Sequence, residues 1–480
     1  MLALLLLACS PATTADPSSE AGWDQGKDAR FDQLVEWTEQ SMAEWGVPGA
    51  ALGMIVQGEG LRAGLGVRRV QTGEPVTPAT RFRVASLSKM LTGMAFSQQV
   101  EEGRLDPDAP ASDALPGLSF ADPAALSSIT LLDLMSHQSG LQAYGLPSSC
   151  DEAFEQMAPI LEERAASWNL WSAPGEHSIY SNAGVSTVGL AVQLATGLSF
   201  PEYMTSNVLE PAGMAGASYD PNVASLGEYA TGHSFDMAGD GRLVAERDLF
   251  QRACAAANPA SGLIANLDEM LALAQLLLDE GAPVLSPEGW ERMTRTGYGD
   301  PEGSIYGWGI QAGSYRDHRV LTHTGSLHGY QSILYVLPED GLALVVMLNS
   351  DHGTTLVPEP WYKPTNRIAE RALDLFLGLE PQERSSSVRA VEDWGRYVGT
   401  YQDAFDWGEQ VVSLEEGGLV ITSTEDGQRF ELVPYSQDRF QYSYLSSEGL
   451  TYWQSIDFKQ EDERTRWLLS TDGLAERRTD

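Results

Sequence analysis

Two strand-like pairs stand at opposite ends of a long helix-rich stretch, and nothing else in the chain restricts its fold as much. Residues 49–57 and 61–69 carry Ala-Ala-Leu-Gly-Met-Ile-Val and Leu-Arg-Ala-Gly-Leu-Gly-Val around Gly58-Glu59-Gly60, a hairpin pattern. Residues 331–337 and 342–348 form a second pair, split by Pro338-Glu339-Asp340-Gly341, which has clear turn chemistry. Between them, residues 104–300 read as mostly helical with many loops. Helices are expected at 29–45 (Phe31, Leu34, Val35, Trp37, Met42) and 365–377 (Ile368, Ala372, Leu373, Leu375, Phe376). The expected architecture is α+β: an antiparallel sheet built from both ends, flanked by helices, with a helical subdomain on one side.

The pattern changes after a polar linker at 378–390. Short alternating strands follow, with turn signals at Glu415–Gly418, Glu425–Gly427, Ser436–Asp438, Ser446–Gly449 and Thr471–Gly473. Strands so spaced predict a small all-β domain, a barrel or sandwich, over 390–480. At the other end, Met1–Cys9 is apolar but far too short to span a bilayer. It reads as the end of an export signal without its positive n-region. Leu6-Leu7-Ala8-Cys9 resembles a bacterial lipobox, which would make Cys9 a lipidated residue anchoring the protein to a membrane of the cell envelope. The alternative is an ordinary signal cut further on, for example after Ala15. Residues 10–28, rich in Ser, Thr, Pro, Ala and Asp, read as a flexible tether, so the large mixed domain is bounded at 29–380.

The net charge of −37 excludes a nucleic-acid partner, because such a chain repels phosphate backbones. A solvated acidic surface accounts for it. Cys150 and Cys254 could pair in an oxidising compartment, and neither lies in a C-x-x-C spacing. The seven histidines are scattered, with no H-E-x-x-H, so no metal or cofactor is expected.

Three short motifs occur in order: Ser86-Leu87-Ser88-Lys89, Tyr180-Ser181-Asn182 and His323-Thr324-Gly325. Ser86 and Lys89 are three apart at the start of a predicted helix running to Glu102 and closed by Gly103, so they share a face. A serine hydroxyl is a weak nucleophile until a base takes its proton. A buried lysine can be that base, because loss of water disfavours its ammonium. Arginine cannot deprotonate in proteins. The chain has only four lysines, Lys27, Lys89, Lys363 and Lys459, so a lysine at this position is informative. S-x-x-K alone is a weak signal, and Y-x-N alone is weaker. Each motif, however, sits where its role needs it: the first opens a helix after a hairpin, the second lies in the helical insertion, the third precedes the final strand pair.

This ordered set resembles the signature of penicillin-binding enzymes, and the likeness extends over residues 29–377. It is closest to the β-lactamase-related, class C-like group that includes D-amino-acid peptidases and family VIII esterases. Ile129–Leu141 resembles that group's I-T-x-x-x-L-L-x-H-x-S-G-L segment, and Pro174-Gly175 before Tyr180 its P-G-x-x-x-x-Y-S-N. Gly262–Met270 and Tyr306-Gly-Trp-Gly309 match further stretches, and the region with Tyr397-Val-Gly-Thr-Tyr401 resembles the lipocalin-like barrel often appended there. The resemblance implies a serine hydrolase acting on a peptide or small-molecule substrate through an acyl-enzyme. Ser86 attacks, Lys89 and Tyr180 share the proton work, and Asn182, His323, Thr324 and Gly325 hold the substrate. The backbone N–H groups of Ser86 and Ser326 would form the oxyanion hole. Whether Lys89 or Tyr180 is the base is open.

One departure stands out. True β-lactamases usually carry lysine where this chain has His323, and a mostly neutral histidine offers no fixed charge to a carboxylate. That favours an amide- or ester-cleaving peptidase or esterase over a β-lactamase. His323 is also expected to give activity an ionisation near neutral pH. His137 reads as a core or turn hydrogen bonder. Trp171, Trp308, Trp361 and Tyr144 either line a cleft or pack the core, and His328 either lines the mouth or does not. No G-x-S-x-G is present, which disfavours an α/β-hydrolase. The rival of another class is a silent lipoprotein that binds peptidoglycan or a partner.

Overall fold

The computed structural model describes residues 28–142, 146, 157–220, 222, 227–236, 243–247, 255–295, 297–299, 305–351, 363–381 and 391–478, the last without 404–407, 416–417, 437, 446–450, 462–463 and 471–473. Cys9, the tether, Tyr144, Cys150, Cys254, Trp361 and most of the linker lie outside the described residues.

The two distant strand pairs do join. Gly49–Val56 lies against Leu342–Leu348 in antiparallel register, with Leu52 opposite Val346 and Ala50 opposite Leu348. Around this seam runs a nine-stranded antiparallel sheet. Its order is Glu74–Pro75, Glu59–Arg69, Gly49–Val56, Leu342–Leu348, Tyr330–Leu337, His318–Leu327, Gln311–Tyr315, Ile305–Tyr306, Tyr298–Gly299. The central strands are apolar without alternation because both faces are covered. Ala51 and Ile55 point into one core, which includes Leu267 and Leu271 of the helix Leu267–Leu278. Ala50, Leu52 and Met54 point into the other, with Phe31 and Leu34 of the helix Ala29–Trp45 and Ile368, Ala372 and Leu373 of the helix Pro364–Leu377.

The middle of the chain is helical as expected, with Ser88–Glu101, Asn182–Thr196 and Pro287–Arg295 among its helices. It also holds a short hairpin, Gly232–Asp236 with Leu243–Arg247, that the sequence reading did not foresee. The C-terminal region forms a closed eight-stranded antiparallel barrel, sealed where Gly399–Asp403 pairs with Leu474–Arg477. Of the foreseen turns, Glu425–Gly427 falls between two of its strands; Ser446–Gly449, Thr471–Gly473 and the centres of the other two lie outside the described residues. Tyr397, Tyr401, Phe440 and Phe458 fill its interior, with Tyr397 stacked on Phe458 at 4.6 Å. No single described helix is long and apolar enough to cross a membrane.

His323-Thr324-Gly325 precedes the final strand pair as expected, but it lies in a strand of its own that the sequence reading did not foresee, His318–Leu327. Gly325, Ser326 and the polar start His318-Arg319 hid a strand whose partner Tyr330–Leu337 is plainly apolar. Beyond its pairing with Gln311–Tyr315, which ends at Thr322, residues 323–327 have no neighbour on that side among the described residues.

Candidate active site

Ser86 sits in a one-turn 3-10 segment, Ala85–Leu87, that runs into the helix Ser88–Glu101. It therefore precedes the α-helix rather than opening it. Ala85 adopts a left-handed φ of 52°, a conformation that costs an alanine about 1 kcal/mol or more. Ser88 holds this turn closed: its hydroxyl donates to the Ala85 carbonyl at 2.7 Å and accepts from the Leu263 N–H at 3.0 Å. On the other side, Ser332 donates to the Val84 carbonyl at 2.8 Å. Gly325 lies against the same turn, and a Cβ there would stand 2.4 Å from the Val84 oxygen. The H-T-G strand thus needs glycine to approach the backbone that leads into Ser86.

Lys89 is fully buried. Its Nζ lies 3.0 Å from Ser86 Oγ, 2.7 Å from Asn182 Oδ1 and 2.9 Å from the Ala260 carbonyl. Burial pushes its pKa well below the ordinary lysine value. Asn182 Oδ1 and the Ala260 oxygen can only accept. A neutral Lys89 therefore spends its two N–H bonds on them and turns its lone pair towards the Ser86 hydroxyl. The segment Tyr306-Gly-Trp-Gly309 presses on this lysine: Gly309 has φ of 77°, and a Cβ there would meet the Lys89 carbonyl at 2.1 Å. Trp308 is core, packed on Phe96 at 4.7 Å.

Asn182 is the first residue of its helix, and Ser181 caps it by accepting from the Gly184 N–H. Tyr180, one residue earlier, lies beside the lysine, whose Nζ is 4.9 Å from the ring centre. Tyr180 as a whole residue is 41% exposed, and its hydroxyl is hydrogen-bonded to Ser86. Burial holds its pKa above the ordinary tyrosine value, and the Ser86 bond pulls in the other direction; water at the exposed part of the residue screens part of the effect. Burial thus disfavours the charged forms of both Lys89 and Tyr180.

His323 joins this cluster through Tyr306. The Tyr306 hydroxyl lies 2.8 Å from His323 Nε2, and His323 Nδ1 lies 2.6 Å from the Thr324 carbonyl. A carbonyl only accepts, so Nδ1 carries the proton and Nε2 accepts from Tyr306. Burial pushes the His323 pKa down to about 3. This overturns the expectation of an ionisation near neutral pH: His323 stays neutral there. Thr324 and Ser326 are exposed on the strand, whereas His323 and Gly325 are buried, as period-two alternation requires.

Two residues without a foreseen role also belong here. Tyr306 fixes the His323 tautomer, and His137 packs its ring 4.3 Å from Tyr180 and 4.5 Å from Tyr306. Tyr306 was visible in Y-G-W-G, though nothing in that motif announced a hydroxyl aimed at His323. The Ala260 carbonyl had no signal, because any residue supplies one. Among the described residues no group of three His, Cys, Asp or Glu side chains is placed to hold a metal ion.

The buried neutral histidines have a consequence for stability. Unfolded, both titrate near 6.5. Folded, His323 titrates near 3 and burial also lowers His137. Their contribution is present above pH 6.5 and is lost as pH falls towards 3. Glu269, whose carboxyl burial raises to about 7, works in the opposite sense between about 4.5 and 7. Urea unfolding of wild type and His323→Gln at pH 7 and pH 5 separates these. Wild type should lose about 2 kcal/mol more than the variant over that interval; equal losses would refute a neutral His323.

Comparison with known proteins agrees with this geometry. A family model described as Beta-lactamase matches residues 34–363. Penicillin-binding protein 4 of Amycolatopsis lactamdurans is 24% identical over 404 residues, covering 80% of this chain and 98% of the relative. The D-aminopeptidase of Brucella anthropi is 26% identical over 430 residues, covering 87% of this chain and 74% of the relative. The octameric penicillin-binding protein homologue from Pyrococcus abyssi superposes with a TM-score of 0.64 at 20% identity, covering 93% of this chain and all of that one (100%). That last likeness is one of fold alone.

Proposed function

Since this chain belongs to the beta-lactamase family, we propose that it is a serine hydrolase that cleaves amide or ester bonds through an acyl-enzyme on Ser86. The observation that carries this reading is the 3.0 Å contact between Ser86 Oγ and a buried Lys89 that has no carboxylate partner among the described residues.

In the first half-reaction Ser86 Oγ bonds to the substrate carbonyl carbon while its proton passes to the Lys89 lone pair. The negative oxygen so formed is met by the backbone N–H groups of Ser86 and Ser326. Tyr180 donates its hydroxyl proton to the departing nitrogen or oxygen, the bond to the leaving group breaks, and the proton on Lys89 replenishes Tyr180. In the second half-reaction water attacks the ester, its proton passes to the same pair, and the Ser86 oxygen leaves with a proton. Lys89 is the base in this scheme because burial disfavours both ammonium and phenolate, leaving the lysine ready to accept and Tyr180 ready to donate. Asn182 orients Lys89 and reaches the substrate amide. The free edge at residues 323–327 offers backbone hydrogen bonds to an extended acyl chain.

Within this class a peptidase or esterase for D-amino-acid amides or small esters is favoured over a β-lactamase. His323 is neutral, so the site offers no fixed cation from the third motif to a substrate carboxylate. The D-aminopeptidase relative points the same way.

The deciding experiment is turnover of nitrocefin, p-nitrophenyl butyrate, a D-Ala-D-Ala peptide and D-amino-acid p-nitroanilides by wild type and Ser86→Ala. Ser86-dependent turnover of an ester or a D-amino-acid amide, with nitrocefin at least about 10²-fold slower in kcat/KM, is expected. No turnover together with no fluorophosphonate labelling of Ser86 would instead indicate a silent binding protein.

A further inference from the structure

His137 concentrates several local costs at one place in this site. It is a non-glycine residue with a left-handed φ of 63°, and it is 2% exposed. Its Nδ1 accepts from the Ser181 N–H at 3.2 Å. Nδ1 is therefore unprotonated and the neutral ring carries its proton on Nε2. That Nε2–H is buried and has no acceptor among the described residues, an arrangement that costs about 1–3 kcal/mol. A phenylalanine would fill the same space without the orphaned donor. Strain and an unmet donor at one buried residue direct attention to what that residue does for its neighbours.

Those neighbours flank Tyr180. The His137 carbonyl accepts from the Ile179 N–H at 3.0 Å, its Nδ1 takes the Ser181 N–H, and its ring lies 4.3 Å from the Tyr180 ring between them. One residue thus grips the backbone on both sides of the tyrosine and supports its ring. The His137 ring also packs on Tyr306, 4.5 Å between ring centres, and Tyr306 holds His323. We infer that His137 is the positioning residue for Tyr180, holding it through the Nε2–H tautomer so that the phenol stays in line with Ser86 and Lys89. Lys89, His323, Tyr180 and Tyr306 are the titratable groups that face it. A cation among them would compete with the charge that forms on Lys89 during acylation. His137 is held neutral by burial.

The inference rests on the reading of Tyr180 as proton carrier, and the test keeps the two apart. The first arm is long-range ¹⁵N–¹H NMR on histidine-labelled protein, with His137→Asn identifying the His137 resonance. A neutral Nε2–H ring from pH 5 to pH 8 is expected; a ring that protonates near pH 6.5, or an Nδ1–H ring, overturns the inference whether or not the protein turns anything over. The second arm is kinetic, on the substrate that wild type turns over. His137→Phe keeps a ring but removes the acceptor, and should lower kcat about 10²-fold with KM changed less than about threefold. His137→Asn keeps an acceptor and tolerates a left-handed φ, and should recover at least about tenfold of that loss. A His137→Phe variant with wild-type kcat, or a folded His137→Asn no better than His137→Phe, would show that the residue only packs. Should His137→Phe fail to fold, as judged by circular dichroism, the NMR arm and the kcat of His137→Asn, which must then lie within about tenfold of wild type, decide. A wild type without turnover would defeat the proposed activity and leave the tautomer to settle His137.

Discussion

Lys89→Met is expected to lower kcat by roughly 10³–10⁴-fold, the range a general base supplies, and Lys89→Arg is expected to do no better. The second variant is the more telling one. Arginine preserves the positive charge and can still donate to Asn182 Oδ1 and the Ala260 carbonyl, which lie 2.7 and 2.9 Å from the lysine nitrogen. It cannot surrender a proton. If Lys89 worked by electrostatic attraction, arginine would rescue; if it works as a base, arginine fails. The lysine's surroundings favour the base, since among the described residues its hydrogen-bond partners are a serine, an amide and a carbonyl, with no carboxylate. Steady-state kinetics of both variants, with intact-mass measurement of acylation, decide the matter. Retention of more than about a tenth of wild-type kcat by Lys89→Arg would remove Lys89 from the base role.

Gly325→Ala should be nearly as damaging for a different reason. Its added methyl would stand 2.4 Å from the Val84 carbonyl and 2.1 Å from Ser332 Oγ. The serine can rotate away only by giving up its 2.8 Å bond to that same carbonyl, and the carbonyl belongs to the backbone that leads into Ser86. The strand must therefore shift away from the nucleophile. A loss of about 1–3 kcal/mol in stability is expected from overpacking, with about 10²-fold in kcat/KM from displacement of the neighbouring strand backbone. Urea unfolding and turnover of the substrate chosen by the panel test this together. A variant with unchanged stability and turnover would mean that the strand and the turn are not in the contact described.

Much of this was legible in the sequence, for identifiable reasons. Residues 49–56 and 342–348 announced themselves because a strand covered on both faces has no polar positions to blur it. The barrel was legible through its turns, since Glu425–Gly427 and its counterparts punctuate strands too short to show a strong period. Ser86, Lys89, Tyr180 and Asn182 were legible because side-chain chemistry at fixed spacing survives any uncertainty about the backbone. What escaped depended on placement. The strand through His323 was hidden by the glycine that the close approach to Ala85 demands. The pKa of His323 followed from burial, which its neighbours in sequence do not report; the chain showed a histidine that would titrate near neutral pH, and the fold made one that does not. His137 read as a structural hydrogen bonder, and it is one, but the group it bonds is the backbone beside Tyr180.

The seam between Gly49–Val56 and Leu342–Leu348 also bears on how the chain reaches this state. The partners are separated by roughly 300 residues, so loop closure must precede any reward from the pairing, a topology associated with slow folding. During synthesis the first strand pair waits, with its apolar faces uncovered, until nearly the whole catalytic region has emerged. A chain broken anywhere between these strands lacks the centre of its own sheet, so no shorter fragment of the region inherits a core that could stand alone.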